Sequence, residues 1–365
     1  MRDVHGGHAH AGHDHGGHEQ GATEGMTMER KARQGGRRGW AEATLGLGLA
    51  LAALAAGCGG DGAESEPGDR VSVEETALVP GAEARSFLGE ALFPPPLEED
   101  FREEQSRQLE LARAARDADP QDPEAWIWVG RREAYLGRYR DAIATFTQGM
   151  ERFPDDARFL RHRGHRYLTV REPGSAQADL ERGLELVVGR PDEIEPDGLP
   201  NPQGIPLSTL HFNLWYHLGL ARYLQGDWEG AAEAFLACME VSTNPDLRVA
   251  TSYWLYLTLN RAGRAAEAAD LLMDLPGEEE IIENASYLYL LRVFAGEVDG
   301  ASLRADEGAG TLAGATVRYG IAAYHQLEGR EDEARAVMHE VLLEPRQWPS
   351  FGYLAVEAEV ARRGW

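Results

Sequence analysis

In PEAWIWVGRREAYLGRYRDAIATFTQGMERFPDD, residues 123–156, apolar and small residues return at helical spacing, with turn residues between them. Trp126 and Phe146 are the large positions, Gly130, Ala142 and Gly149 the small ones, and Gly137 and Pro154 the breaks. This spacing predicts two helices joined at Gly137 and stopped at Pro154. The small residues let the two helices approach, and the large ones fill the gap. Moving 34 residues along restores the pattern at Leu160, Gly164, Ala176, Leu180 and Gly183, with Tyr167 at the aromatic position. After 21 extra residues it returns through Trp215, Gly219, Gly226, Ala231, Phe235 and Cys238. A fourth copy runs through Leu255, Gly263, Ala268 and Leu272, and a weaker fifth through Tyr289, Gly296 and Ala301. A sixth is marked by Ile321, Gly329, Ala334 and Met338. Upstream, EEDFREEQSRQLELARAARDADP carries Ala112, Ala115 and Pro120 in register, as the second helix of an incomplete repeat. The final SFGYLAVEAEVARRG reads as one closing helix. No run of alternating apolar and polar residues marks a strand, so the expected class is all-α.

The inserted stretch, about residues 187–206, is rich in proline, glycine, aspartate and asparagine and is expected to be a loop. Loops of this length inside compact folds are often functional. Glu193, Glu195, Asp197 and Asn201 supply oxygen atoms there, without the spacing of a calcium-binding loop.

Over about residues 98–365 this pattern resembles the tetratricopeptide repeat (TPR) family. The resemblance implies an α-solenoid of about six TPR-like helix pairs with a C-terminal capping helix, whose concave groove binds a protein or peptide. It also implies which positions line that groove. By register these include Glu124, Ile127, Arg131 and Tyr135 in the first repeat and Arg158, Arg161 and His165 in the second. Asn213 and Tyr216 follow in the third, and Tyr253 and Arg261 in the fourth. Arg131, Arg158, Arg161, His165, Asn213, Tyr216 and Tyr253 are therefore the candidate partner-binding residues. Guanidinium forks suit carboxylates and aromatic faces suit extended chains, so the expected partner carries an acidic segment or a free carboxylate. Ile127 and Arg131 stand where some family members place the Lys and Asn that clamp a C-terminal carboxylate. The competing expectation is structural: the same arginines pair with acidic residues of adjacent helices, such as Glu133, Asp179 and Glu181.

The chain before these repeats has a different character. Residues 1–25 hold half of the twelve histidines in a Gly/His-rich leader, which is not translated if synthesis starts at Met26 or Met28. Residues 26–57 combine a basic run, Arg30 to Arg38, with the apolar ATLGLGLALAALAAG, the order of a secretory signal. Its ending Ala55-Ala56-Gly57-Cys58 resembles the bacterial lipoprotein box. That resemblance implies lipidation of Cys58, and Gly59 in place of Asp implies the outer membrane, with the protein facing the periplasm. Residues 58–86 are acidic and Gly-rich and are expected to be a flexible tether ahead of a folded body at 87–365.

Charge and chemistry narrow the function further. The net charge is −25, and all of the excess lies after Gly57, which disfavours nucleic acid as a partner. With only Cys58 and Cys238, no disulfide framework is expected, and Cys238 in AAEAFLACMEV reads as a buried thiol. The densest chemistry is FLRHRGHRYL, residues 159–168. His162 and His165 lie three apart on a helix, but no third ligand stands at suitable spacing, and no nucleophile or phosphate-binding motif occurs in the chain. The expectation is a scaffold with no catalytic residue, no cofactor and no metal. The alternative is an envelope enzyme or a small-molecule or metal binder using the Arg/His wall and the 188–206 loop.

Overall fold

The computed structural model describes residues 78–300 and 312–365. The leader, the signal segment, Cys58, most of the tether and Ala301 lie outside the described residues. Two short strands, β1 (Ala84–Arg85) and β2 (Ala91–Leu92), pair antiparallel ahead of the helices. The first helix, α1 (Glu99–Ala118), packs on the pair α2 (Pro123–Tyr135) and α3 (Tyr139–Arg152). The pairs α4 (Ala157–Thr169) with α5 (Pro173–Val187) and α6 (Leu210–Gln225) with α7 (Trp228–Val241) follow, each on the one before. Next come α8 (Pro245–Arg261), a short α9 (Ala265–Asp270) and α10 (Ala285–Phe294). The chain closes with the pair α11 (Leu312–Leu327) and α12 (Glu331–Leu342) and then α13 (Phe351–Arg363). The fold is an all-α, TPR-like solenoid.

The repeat pattern acts as expected. A Cβ on Gly130 would stand 2.4 Å from the Phe146 ring, and one on Gly219 2.5 Å from the Phe235 ring, so only glycine admits these helix contacts. Side chains cap most of the first helices. Asp122, Asp156, Thr209 and Asn244 accept backbone N–H bonds at the starts of α2, α4, α6 and α8. Asp246 is buried and accepts from the N–H groups of Ile282, Glu283 and Asn284, which fixes the entry to α10. Cys238 is a buried free thiol, and burial pushes it up to about 12. No helix among the described residues is long and apolar enough to cross a membrane.

Two features depart from expectation. The first is where the tether ends. Ala84 is fully buried and Ser86 nearly so, and Arg140 donates to the Glu83 carbonyl at 2.9 Å. The folded body thus starts before residue 87, because strand pairing and an arginine anchor hold a stretch whose composition suggested flexibility.

The second concerns α13. It follows α12 as a closing helix, but residues 352–360 are buried on every side, including Glu357 and Glu359. A terminal cap exposes a polar outer face. Here α13 packs on α6, α11 and α12, and its carboxylates meet arginines from distant repeats. Arg261 of α8 bonds Glu359 at 2.6 Å. Arg171, in the turn between α4 and α5, bonds both oxygens of Glu357 at 3.0 and 2.8 Å. Arg171 also donates to the Trp348 carbonyl at 2.8 Å and lies over the Trp348 ring.

Arg171 is also the described non-glycine residue with positive φ, at 66°. The equivalent turns of the other repeats use Gly137, Gly226, Gly263, Gly296 and Gly329, all with φ between 72° and 79°. A side chain there costs about 1–2 kcal/mol. The chain accepts this strain at one turn, where the side chain reaches Glu357.

Arg171→Gly should therefore destabilise despite relieving the backbone. Glu357, 1 % exposed, loses its counter-ion, and the net cost is expected to be about 2–4 kcal/mol in urea unfolding. Unchanged or raised stability would show that the pair does not hold α13.

Candidate functional site

The helix α4 carries most of the candidate wall. Asp156 caps it and also holds Arg158 through bonds of 2.9 and 2.6 Å, while Arg158 reaches Glu124 at 2.7 Å. Three residues on, Arg161 pairs with Glu195 of the 188–209 loop at 2.7 Å. The Asn213 amide donates to the same carboxylate oxygen at 3.0 Å. Arg131 donates to the Pro196 carbonyl at 2.8 Å and lies 4.3 Å from the Trp128 ring centroid. The structure thus gathers Arg131, Arg158, Arg161 and Asn213 on one wall and folds the loop's Glu195 and Pro196 onto it. The wall holds a carboxylate from its own chain.

This answers the competition between binding wall and structural pairing residue by residue. Glu133, Asp179 and Glu181 do pair with arginines, but with Arg113, Arg163 and Arg222. The wall arginines take other partners.

The remaining candidates sit deeper. The His165 ring lies 4.4 Å from the His217 ring and 5.3 Å from Phe351 at the start of α13. Tyr216 is buried, with Phe212 and Phe351 against its ring. Tyr253 is fully buried between Trp254 and Tyr287. It is a core residue and not a groove contact, because α10 covers the face that the repeat register assigns to the groove. Asn213 is likewise buried and engaged by Glu195.

A cleft of about 510 Å3 opens on the outer side of Arg158, against Arg190, Pro191 and Glu193 of the loop, and two narrower ones lie along the wall. One, of about 200 Å3, lies between Glu124, Arg131, Arg158 and the loop residues Glu193 to Pro196. The other, of about 260 Å3, lies between Arg161, His165, Tyr216, Leu247, Tyr287 and Phe351. The loop borders both and exposes Ile194 and Leu199 to solvent, at 64 % and 50 %. Among the described residues no group of three His, Cys, Asp or Glu side chains is placed to hold a metal.

Burial sets the electrostatics. It lowers His162, His165 and His217 well below the usual imidazole range, and Arg161 and Arg166 nearby reinforce the effect. Arg166, half-buried, is pushed down to about 10. Burial raises the Glu195 carboxyl and outweighs the pull of Arg161. The His162 Nδ1 accepts from Arg161 at 3.0 Å and the His217 Nδ1–H donates to the Asn213 carbonyl at 2.6 Å, both consistent with neutral rings. Composition had drawn attention to His165. The partnership of His162, His217 and Arg166 with it was not readable, because His217 comes from another repeat.

No family model and no curated protein matches the chain. Solved structures similar to it include the MamA protein, 14 % identical, with 55 % of this chain and 92 % of that one covered and a TM-score of 0.36. Another is YrrB, titled a TPR protein with an unusual peptide-binding site, 14 % identical, with 69 % and 98 % covered and a TM-score of 0.37. A third is Naa15/Naa10 bound to HypK-THB, 15 % identical, with 65 % and 34 % covered and a TM-score of 0.32.

The neutral histidines make stability depend on pH. Their folded pKa values lie below the unfolded value, so the unfolded chain binds more protons on acidification. Their contribution is complete above the unfolded pKa near 6.5 and falls by up to about 1.4 kcal/mol per pH unit per histidine below it. Glu195, raised by burial, acts in the opposite sense at lower pH. The comparison is therefore with His165→Phe, in which Glu195 is unchanged. The variant should lose less stability than the parent between pH 7.5 and 5.5 in denaturant titrations. Equal losses would show that His165 takes up its proton without cost.

Proposed function

We propose that the chain is a non-catalytic, TPR-like scaffold that binds a protein or peptide through the clefts between its arginine wall and the 188–209 loop. We propose further that a lipid on Cys58 holds it to the bacterial outer membrane, facing the periplasm. The observation that carries the binding reading is the convergence of Arg131, Arg158 and Arg161 beside a loop that already seats the Glu195 carboxylate on Arg161 and the Pro196 carbonyl on Arg131. An acidic segment or free carboxylate can approach the same donors from the cleft side, while the exposed Ile194 offers apolar contact on the rim and Leu199 stands exposed farther along the same loop. Tyr253 is not a partner contact in this reading, since α10 covers it, and Asn213, at the wall of the second cleft, serves to hold Glu195. The adaptor or assembly role follows from recruitment: the lipid fixes the protein, the tether gives reach and the wall holds the partner.

A photo-reactive residue at Leu199 should give one discrete adduct in cells, and the same residue at the exposed Met273 should not. Adducts of the same kind from both positions, or none from Leu199, would remove the binding site from the loop rim. Separately, Cys58→Ser should move the protein from the membrane pellet to the soluble fraction. Continued sedimentation with membranes would remove the lipid anchor and leave the binding reading untouched.

A further inference from the structure

A cavity of about 130 Å3 lies between α2 and α4. Its polar lining is Arg131 and Tyr135 from α2 with Arg161, His162, His165 and Arg166 from α4, and no carboxylate is among its lining residues. The three guanidinium groups differ in what they already hold. Arg131 gives one nitrogen to the Pro196 carbonyl and another to the Tyr135 hydroxyl. Arg161 is paired with Glu195, yet its Nε is buried without a partner. The Arg166 side chain makes no hydrogen bond or ion pair with any described residue and lies over the Tyr139 ring, 5.7 Å from its centroid.

The other groups facing the cavity favour an anion as well. The His162 Nδ1 accepts from Arg161, which leaves its Nε2–H as a donor. The Tyr135 hydroxyl accepts from Arg131 and can give its own proton. The His165 ring makes no hydrogen bond and rests on His217 and Phe351. A half-buried guanidinium with no carboxylate partner is costly to keep beside other cations. Such a set is stabilised by an anion able to accept several N–H bonds at once.

We propose that this cavity binds a small tetrahedral oxyanion of the inorganic phosphate or sulfate class. Its size is many times what a single water needs. The donors here come from both α2 and α4, and a tetrahedral ion presents oxygens to both sides at once where a planar carboxylate presents two in one plane. This cavity shares Arg131, Arg161, His162 and His165 with the partner clefts, but its test reads ion binding and not partner capture, so either reading can fail alone.

The test is calorimetry and thermal unfolding of the full chain in sodium phosphate, sodium sulfate and phosphoserine, against sodium chloride at equal ionic strength. Phosphate and sulfate should bind saturably at one site and raise Tm where chloride does not. Phosphoserine should bind at least about tenfold more weakly, because its substituent has no room. Arg166→Met should weaken phosphate binding about tenfold or more. Without phosphate its Tm should equal or exceed that of the parent, since a cation repelled by Arg131 and Arg161 and paired with no carboxylate is gone. A merely structural arginine would give the opposite change in Tm. Arg182→Met, on the exposed face of α5, should change neither quantity. Non-saturating heats, an equal Tm rise in chloride, or parental affinity in Arg166→Met would overturn the site. Phosphoserine binding as tightly as phosphate would overturn the free ion as its ligand. If Arg166→Met does not fold, Arg131→Gln decides: weaker phosphate binding supports the site, and unchanged binding overturns it.

Discussion

The contact between Arg171 and Glu357 is the constraint around which the rest is arranged. Each side chain is almost wholly out of water, at 2 % and 1 % exposure. Burying both charges is expensive, and their attraction offsets it only where the geometry is good and the remaining donors are satisfied. Here both conditions hold. Two nitrogens of Arg171 meet the carboxylate, one of these also donates to the Trp348 carbonyl, the third donates to the Thr169 carbonyl, and the Phe87 N–H adds a bond to Glu357. The strained turn at residue 171 then has a reason: glycine would relax the backbone but would leave Glu357 alone in the core. Around this pair the N-terminal hairpin, the second repeat and the last helix meet. The Trp348 indole N–H donates to the Phe93 carbonyl at 2.7 Å, and its ring packs edge-on against Tyr139.

A second internal contact decides what the wall can do. A groove of bare arginines inside an acidic protein would attract anions without discrimination. Glu195 and Pro196 occupy two of those arginines from the loop. What remains open is narrower, bordered by Asp197, Leu207 and Ser208 of the loop on one side and by Phe351 and Tyr287 on the other. The wall's chemistry and its own covering are both parts of the same site.

The repeats were legible because a local rule produces them. Gly130 must be small since Phe146 fills the space beside it, and the same rule at Gly219 and Phe235 recurs at the same interval. Helix starts, the interrupting loop and the buried Cys238 were readable for similar reasons. Other features depend on partners far away in the chain. Two glutamates in SFGYLAVEAEVARRG suggest a solvated face until Arg171 and Arg261 are seen opposite them. Tyr253 falls on a groove position by register, but α10 covers it. The series of turn glycines, broken only by Arg171 in the second repeat, was a signal in plain view. It gains meaning once the positive φ is known.

An open solenoid is held by neighbours alone, so its ends can fray while its middle stays folded. This one is fastened across its length: the hairpin before α1 bonds to Glu357 and the indole of Trp348, and the second repeat bonds to the last helix. Loss of either end therefore exposes charge in the middle of the molecule. The chain behaves less like a stack of independent units than like a closed loop, which opens all at once or not at all.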